Sequence, residues 1–172
     1  MKYFQLFVDE NYIPPYPVGW YGKLDRKALE GKRAYEMPGH SLFLLEAHQQ
    51  MMFTDIITFP CFLISEKVKE ILQKYDSSIQ YMRVILYHQE RGKSKIYYLP
   101  FLEEIEACKE EVLSLSQGAL SERERLRNRV LFLLREEVQT KIIVRLDLLE
   151  SILRRGAIGI GVKGVKFNSD EG

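Results

Sequence analysis

The stretch FLISEKVKEIL, residues 62–72, decides the predicted fold together with a looser counterpart, IIVRLDLLESIL, at residues 142–153. In each copy a short apolar run typical of a strand passes directly into a segment whose apolar residues recur at helical spacing. Ser65 is the predicted N-cap of the first helix, because its hydroxyl can accept a hydrogen bond from an amide of the first turn. Asp76 to Ser78 end that helix, and Gly156 follows the second one. The sequence therefore predicts two strand-to-helix units.

Further strands are predicted from short apolar or alternating runs on both sides of these units. The polar connection from Gln89 to Ser94 contains a glycine and indicates an antiparallel hairpin with a loop. Phe101 to Leu115 fits both the helical and the strand period in part, so helix and broken strand both stay open there. The predicted strands are Tyr3–Val8, Ser41–Ala47, Asp55–Phe59, Ile79–His88, Lys95–Leu99, Val130–Leu134, Lys141–Val144 and a last strand containing Ile158, Ile160 and Val162.

Strands that pair locally, with two short amphipathic helices beside them, indicate an α+β fold with mainly antiparallel sheets. A strictly alternating parallel array would need more helices than the pattern provides. With 172 residues the chain has the usual size of one domain, so we expect residues 1–172 to form a single α+β domain. An irregular segment rich in proline and glycine is expected at about residues 12–40, and a frayed tail at about residues 168–172.

Composition indicates an intracellular globular protein without a dominant charge. Hydrophobic residues make up 46% of the chain and the formal net charge is +1, so no global field attracts nucleic acid or lipid. The two cysteines, Cys61 and Cys108, are too few for a disulfide framework and favour reduced thiols. Asp9 and Glu10 interrupt the first apolar run before a signal peptide could form. We expect a cytoplasmic location and no membrane segment.

The irregular segment carries the aromatic residues Tyr12, Tyr16, Trp20 and Tyr21. Large rings provide most of the burial that an irregular segment can find, which favours a role in anchoring this segment to the body of the protein. A binding face made by the same rings is the alternative.

Patterns that could support catalysis or metal binding are weak. Gly159, Gly161 and Gly164 satisfy the phosphate-binding spacing GxGxxG, but no helix-length segment follows them, so we interpret them as turn and bulge positions. No histidine has a second metal ligand at helical spacing, and each is predicted to be a surface or edge residue. Cys61 lies in an apolar context that keeps a thiol protonated. We therefore expect no cofactor, no metal and no catalytic residues. The three histidines are His40, His48 and His88.

Two runs of charge remain as candidate interaction sites. Paired acid–base chemistry in the acidic run would need an apolar cleft, so an exposed acidic face that could meet a basic partner is favoured. The basic run could contact phosphates, but glutamates interrupt it, which favours internal ion pairs over nucleic-acid binding. The acidic run comprises Glu103, Glu104, Glu106, Glu110 and Glu111, and the basic run comprises Arg123, Arg125, Arg127, Arg129 and Arg135.

Three blocks together resemble a bacterial family. They are FLISEKVKEIL at residues 62–72, IYYLP at residues 96–100 and LDLLESILRRG at residues 146–156. The chain is similar in these blocks, over about Phe59 to Phe167, to immunity-protein family eleven of bacterial polymorphic toxin systems. In that family the second helix block often begins with a serine after the strand, whereas this chain has Arg145 at that place.

The resemblance implies a cytoplasmic, non-enzymatic protein that binds and neutralises a cognate protein toxin. The family has no shared catalytic residues to transfer. If the toxin is cationic, the acidic run from Glu103 to Glu111 is the first candidate for its contact. The alternatives are an enzyme that uses Tyr and Glu side chains in a cleft between the proline-rich segment and the sheet, and a nucleic-acid adaptor that uses Arg123 to Arg135.

Overall fold

The computed structural model describes residues 2–20, 39–106, 128–136 and 139–165. Within these ranges the chain forms ten strands and two helices, which confirms the predicted α+β fold. The strands are β1 (Tyr3–Val8), β2 (His40–Leu44), β3 (Ile56–Ile57), β4 (Leu63–Ser65), β5 (Tyr81–His88), β6 (Lys93–Pro100), β7 (Glu104–Glu106), β8 (Leu131–Arg135), β9 (Thr140–Arg145) and β10 (Ile160–Val165). The helices are α1 (Glu66–Tyr75) and α2 (Leu146–Arg154).

The strands form two mainly antiparallel sheets. Sheet one has the order β10-β1-β9-β8-β7 and sheet two has the order β2-β5-β6-β4-β3. Only the pairs β7–β8 and β2–β5 are parallel among the described strands. The predicted hairpin is present as β5 and β6, whose register runs from Tyr81 opposite Pro100 to His88 opposite Lys93.

The two strand-to-helix units occupy equivalent places in the two sheets. In sheet two the chain passes from β3 through β4 and α1 to β5, and β6 lies between β4 and β5. In sheet one it passes from β8 through β9 and α2 to β10, and β1 lies between β9 and β10. The repeated sequence pattern thus corresponds to a repeated arrangement of strands and helix.

The helix ends differ between the two units. The Ser65 hydroxyl accepts the Val68 N–H at 3.4 Å, so the predicted N-cap of α1 is confirmed. Arg145 caps no amide of α2 and instead donates from Nε and Nη2 to the Asp147 carboxylate at 2.7 and 2.8 Å. Gly156 follows α2 as expected, and its N–H donates to the Leu153 carbonyl at 2.9 Å.

The largest cluster of buried apolar side chains joins both sheets and both helices. A second cluster lies on the opposite face of sheet two. Because the first cluster contains residues from either sheet, the sheets and helices share one core. The first cluster includes Leu6, Ile56, Ile64, Val68, Leu72, Val144, Leu148 and Ile152, and the second includes Phe43, Met51, Leu63, Val84, Leu86 and Tyr97.

A buried carboxylate connects the two units. Asp55 is only 4% exposed, and it accepts hydrogen bonds from the Ser65 hydroxyl at 2.6 Å and from the Ile158 N–H at 2.8 Å. Lys67 Nζ lies 3.5 Å from the same carboxylate. The Asp55 N–H also donates to the Ile158 carbonyl at 2.9 Å. The cap of α1 and the turn after α2 are therefore bonded to one side chain.

The glycines of the GxGxxG pattern lie in and before β10. Gly159 has a φ of 74°, and a Cβ there would overlap the Thr54 side chain. Gly161 is in the strand, and a Cβ there would overlap the Phe7 ring. The turn and the close packing of the last strand against β1 account for these two positions.

The region from Phe101 to Leu115 is described only in part. Residues 101–103 have no regular structure, and Glu104–Glu106 form β7 beside β8. The rest of that region, Arg123, Arg125 and Arg127 of the basic run, and the predicted tail lie outside the described residues.

Candidate protein-binding surface

One face of sheet two carries several exposed apolar side chains. In β2, β5 and β6 the side chains of Phe43, Leu86 and Tyr97, respectively, point inward to the second cluster. Their neighbours point to the opposite face, where the register places Leu42 beside Ile85 and Ile85 beside Ile96. Leu44 lies beside Tyr87 in the next row.

Helix α1 covers only part of this face. It packs over Ile64 of β4, and Tyr98 and Tyr81 also contact the first cluster there. Lys69 of α1 lies with its Nζ 4.0 Å from the centre of the Tyr98 ring. Farther from the helix, Leu42 is 54% exposed, Leu44 47% and Ile96 38%. Contiguous exposed apolar side chains on a regular sheet are typical of a surface that binds another protein.

The proline-rich segment extends the face beyond β2. The Val18 N–H donates to the Leu44 carbonyl at 2.8 Å, and the Glu46 N–H donates to the Tyr16 carbonyl at 2.9 Å. Val18 is 46% exposed. We define the apolar face as Val18, Leu42, Leu44, Ile85, Tyr87 and Ile96.

An aromatic groove adjoins the apolar face. The Tyr16 ring stacks on Phe59 with the ring centres 5.9 Å apart, and Trp20 contacts Phe59 edge-on at 6.0 Å. Trp20 also packs against the second core cluster, as the anchoring interpretation predicts, whereas Phe59 is 57% exposed. We define the aromatic groove as the space of about 300 Å³ lined by Ile13, Pro14, Tyr16, Glu46, His48 and Phe59, among others.

Arg91 holds one wall of the aromatic groove in place. From the β5–β6 loop its guanidinium donates to the carbonyls of Met51 at 3.2 Å, His48 at 3.4 Å and Gln49. These carbonyls belong to the turn that supplies His48 and Met51 to the groove. A residue of the hairpin therefore orders a loop that is distant in sequence.

The described part of the acidic run lies in β7, at the edge of sheet one, and directly before it. Glu103 forms an ion pair with Arg129, and Glu104 pairs with Arg135 at 3.2 Å. At these positions arginines of the basic run neutralise the charge of the glutamates, which agrees with the expected internal ion pairs. The side chain of Glu106, and Glu110 and Glu111 entirely, lie outside the described residues.

The histidines and Cys61 are found in separate places. His40 and His48 are exposed, but the prediction that His88 is a surface or edge residue is wrong, since His88 is only 2% exposed. Its position in β5 points it inward, and its Nδ1 accepts the Arg91 N–H at 3.3 Å. Burial raises the pKa of the Cys61 thiol to about 12.

The groove lies between the proline-rich segment and the sheet, which is the place of the cleft in the alternative enzyme hypothesis. Tyr16 and Glu46 both line it. Glu46 is the single carboxylate among the described residues that line it, and it is exposed. Acid–base catalysis commonly uses two carboxylates in environments that separate their pKa values. The groove thus offers a surface for binding rather than a carboxylate pair.

The exposed face was not foreseen from the sequence. Ser41 to Ala47 is one continuous apolar run in the sequence, and such a run does not reveal which face of the strand is covered. The available signal was the presence of large apolar residues on both faces of a strand in an antiparallel sheet, where one face is commonly solvated.

The chain matches no model of a known protein family, and a comparison with curated proteins finds no match. Within the described ranges, neither helix has the length and apolar character required to cross a lipid bilayer.

Proposed function

We propose that this protein is a non-enzymatic, cytoplasmic immunity protein that binds and neutralises a cognate bacterial toxin. The resemblance of the three sequence blocks to the immunity-protein family supports this class of function. The single structural observation that supports it is the apolar face, where four side chains are 38% to 54% exposed on a hydrogen-bonded sheet. An inhibitor of this kind needs a stable scaffold that presents such a surface to another macromolecule.

Covering the apolar face with a partner protein would contribute to the binding free energy. A leucine that is about half exposed gains about 1 kcal/mol when a partner covers it, since full burial contributes about 1.5–3 kcal/mol. Leu42 and Leu44 together therefore contribute at least about tenfold to affinity. Their replacement by lysine adds a charge that a partner would have to desolvate.

The test is a protection assay with the toxin domain encoded immediately upstream of this gene. Cells that express this domain should survive when the wild-type protein is present and die when Leu42→Lys/Leu44→Lys replaces it. Leu153→Lys is the matched control, because Leu153 is 43% exposed on α2 and is not part of the apolar face. A neighbourhood without a toxin gene, or a wild-type protein that gives no protection, would remove the proposal.

The acidic run gives a second test of where the toxin binds. Reversing the charge at Glu110 and Glu111 replaces neither partner in the ion pairs of Glu103 with Arg129 and of Glu104 with Arg135. If these reversals, and then those at Glu103, Glu104 and Glu106, leave toxin binding unchanged, the acidic run is not the contact.

A further inference from the structure

We propose that the aromatic groove receives a basic side chain, an arginine or a lysine, of the partner protein. The inference rests on the proposed function in that it assumes a protein partner. It adds the chemistry of the residue that enters the groove.

The first argument is the charge of the groove. Glu46 is exposed and lines the groove, and within the described ranges no basic side chain pairs with its carboxylate. The nearby Arg91 directs its guanidinium at the carbonyls of the turn at residues 48–51. His48 Nδ1 accepts the Gln50 N–H at 3.2 Å. An unpaired carboxylate at an apolar groove favours a cationic ligand.

The second argument is the aromatic rings beside that carboxylate. Glu46 and Tyr16 are hydrogen-bonded neighbours on adjacent extended segments, so their side chains leave the same face at about 5 Å from each other. Tyr16 in turn stacks on Phe59. A cation placed over an aromatic ring is attracted by the negative ring face, most strongly when it is partly desolvated. The carboxylate and the rings would therefore attract the same bound cation.

The third argument is the shape and lining of the groove. Its volume of about 300 Å³ is at the small end for a ligand pocket, which suits one long side chain better than a whole small molecule. Ile13 and Pro14 give apolar walls. Arginine and lysine lay their aliphatic stems along such surfaces and keep the charged end at the rim.

The position of the groove connects it to the apolar face. Leu44 and Glu46 lie on the same side of one extended segment, and Val18 and Tyr16 accompany them on the neighbouring segment. A partner that covers the apolar face can therefore reach the groove with a side chain from the same surface. A basic residue at the edge of an apolar patch is the complementary arrangement on the partner.

The experiment uses two short peptides that differ in charge and not in shape. Acetyl-Gly-Arg-Gly-amide carries the cation, and acetyl-Gly-citrulline-Gly-amide is its neutral isostere. Each is titrated into the ¹⁵N-labelled full-length protein while amide chemical shifts are followed. Trp20, the single tryptophan of the chain, gives an independent fluorescence signal because it contacts Phe59.

The arginine peptide should shift the amide signals of Tyr16, Glu46 and Phe59 and should bind at least about fivefold more tightly than the citrulline peptide, as expected for an exposed ion pair reinforced by a ring. Glu46→Gln should weaken binding of the arginine peptide about fivefold. Glu90→Gln, at an exposed residue of the hairpin loop, should leave it unchanged. Retained amide dispersion in Glu46→Gln shows that the variant is folded.

Equal affinity for the two peptides, unchanged binding by Glu46→Gln, or the absence of shifts at the groove would each overturn the inference. Failure of the proposed function is a separate result. If the arginine peptide binds as expected but the wild-type protein gives no protection against the toxin, the inference about the groove is retained and the proposed immunity function is rejected. If protection is seen but the peptides are not distinguished, the inference about the groove falls alone.

Discussion

Replacing Asp55 with alanine should destabilise the protein more than any single change on its surface. The carboxylate accepts the Ser65 O–H at 2.6 Å and the Ile158 N–H at 2.8 Å, and it lies 3.5 Å from Lys67 Nζ. Alanine removes both acceptors and leaves the buried Ser65 hydroxyl and the partly buried Ile158 N–H without this partner. The Ile158 contact spans 103 positions of sequence, so its loss removes one of the hydrogen bonds that join the two strand-to-helix units.

The expected cost follows from the contacts. Each orphaned buried donor costs about 1–3 kcal/mol, so Asp55→Ala should lower the free energy of unfolding by about 4 kcal/mol. Asp55→Asn keeps one carbonyl oxygen and should cost about half of that. Lys67→Met should cost less than about 1 kcal/mol, because Lys67 is 44% exposed and its ion pair is screened by solvent.

Urea unfolding of the three variants, followed by far-ultraviolet circular dichroism, measures these differences. The slope of the transition should stay constant while its midpoint falls in the order Lys67→Met, Asp55→Asn, Asp55→Ala. A change below about 1 kcal/mol in Asp55→Ala would refute the reasoning, as would an equal loss in Lys67→Met.

Three further predictions concern other parts of the molecule. Gly159→Ala should cost about 2–3 kcal/mol, from a strained φ and overlap with Thr54, whereas Gly164→Ala, which meets nothing within 4 Å, should be nearly neutral in the same urea assay. Cys61 should react with iodoacetamide far more slowly at pH 8.5 in the native protein than in urea, as measured by mass spectrometry of its peptide. Burial raises the pKa of the Cys61 thiol from 9.0 to about 12 in the folded protein, so the unfolded chain loses this proton at lower pH. The contribution of the Cys61 thiol to the free energy of unfolding therefore falls as pH rises from 9 to 12. Arg91→Lys should speed hydrogen exchange of the Met51 amide about fivefold by loosening the turn at residues 48–51, and no change there would contradict the proposed role of the guanidinium.

Local chemistry made much of the fold predictable. Ser65 could be named as an N-cap because a hydroxyl followed by helical spacing has few other uses. The β5–β6 hairpin could be named because its polar loop contains Gly92, which adopts a φ of 57°. These features depend on residues that are close in sequence.

Features that depend on distant residues could not be predicted. Nothing in Tyr3–Val8 indicates that β1 lies between β9 and β10, because strand pairing depends on the whole sheet. The prediction that His88 is a surface or edge residue is wrong because a lone histidine does not reveal which face of its strand is buried. The exposure of Leu42 and Leu44 depends likewise on where α1 stops.

The central place of β1 in sheet one constrains how the chain is made. The neighbours of Tyr3–Val8, which are Thr140–Arg145 and Ile160–Val165, are synthesised more than a hundred residues after it. Such distant pairing is slow and cannot begin during translation of the first half. Sheet two has its three inner strands, β4, β5 and β6, within residues 63–100 and can assemble while the ribosome is still working. The nascent protein therefore completes sheet two first and closes sheet one last.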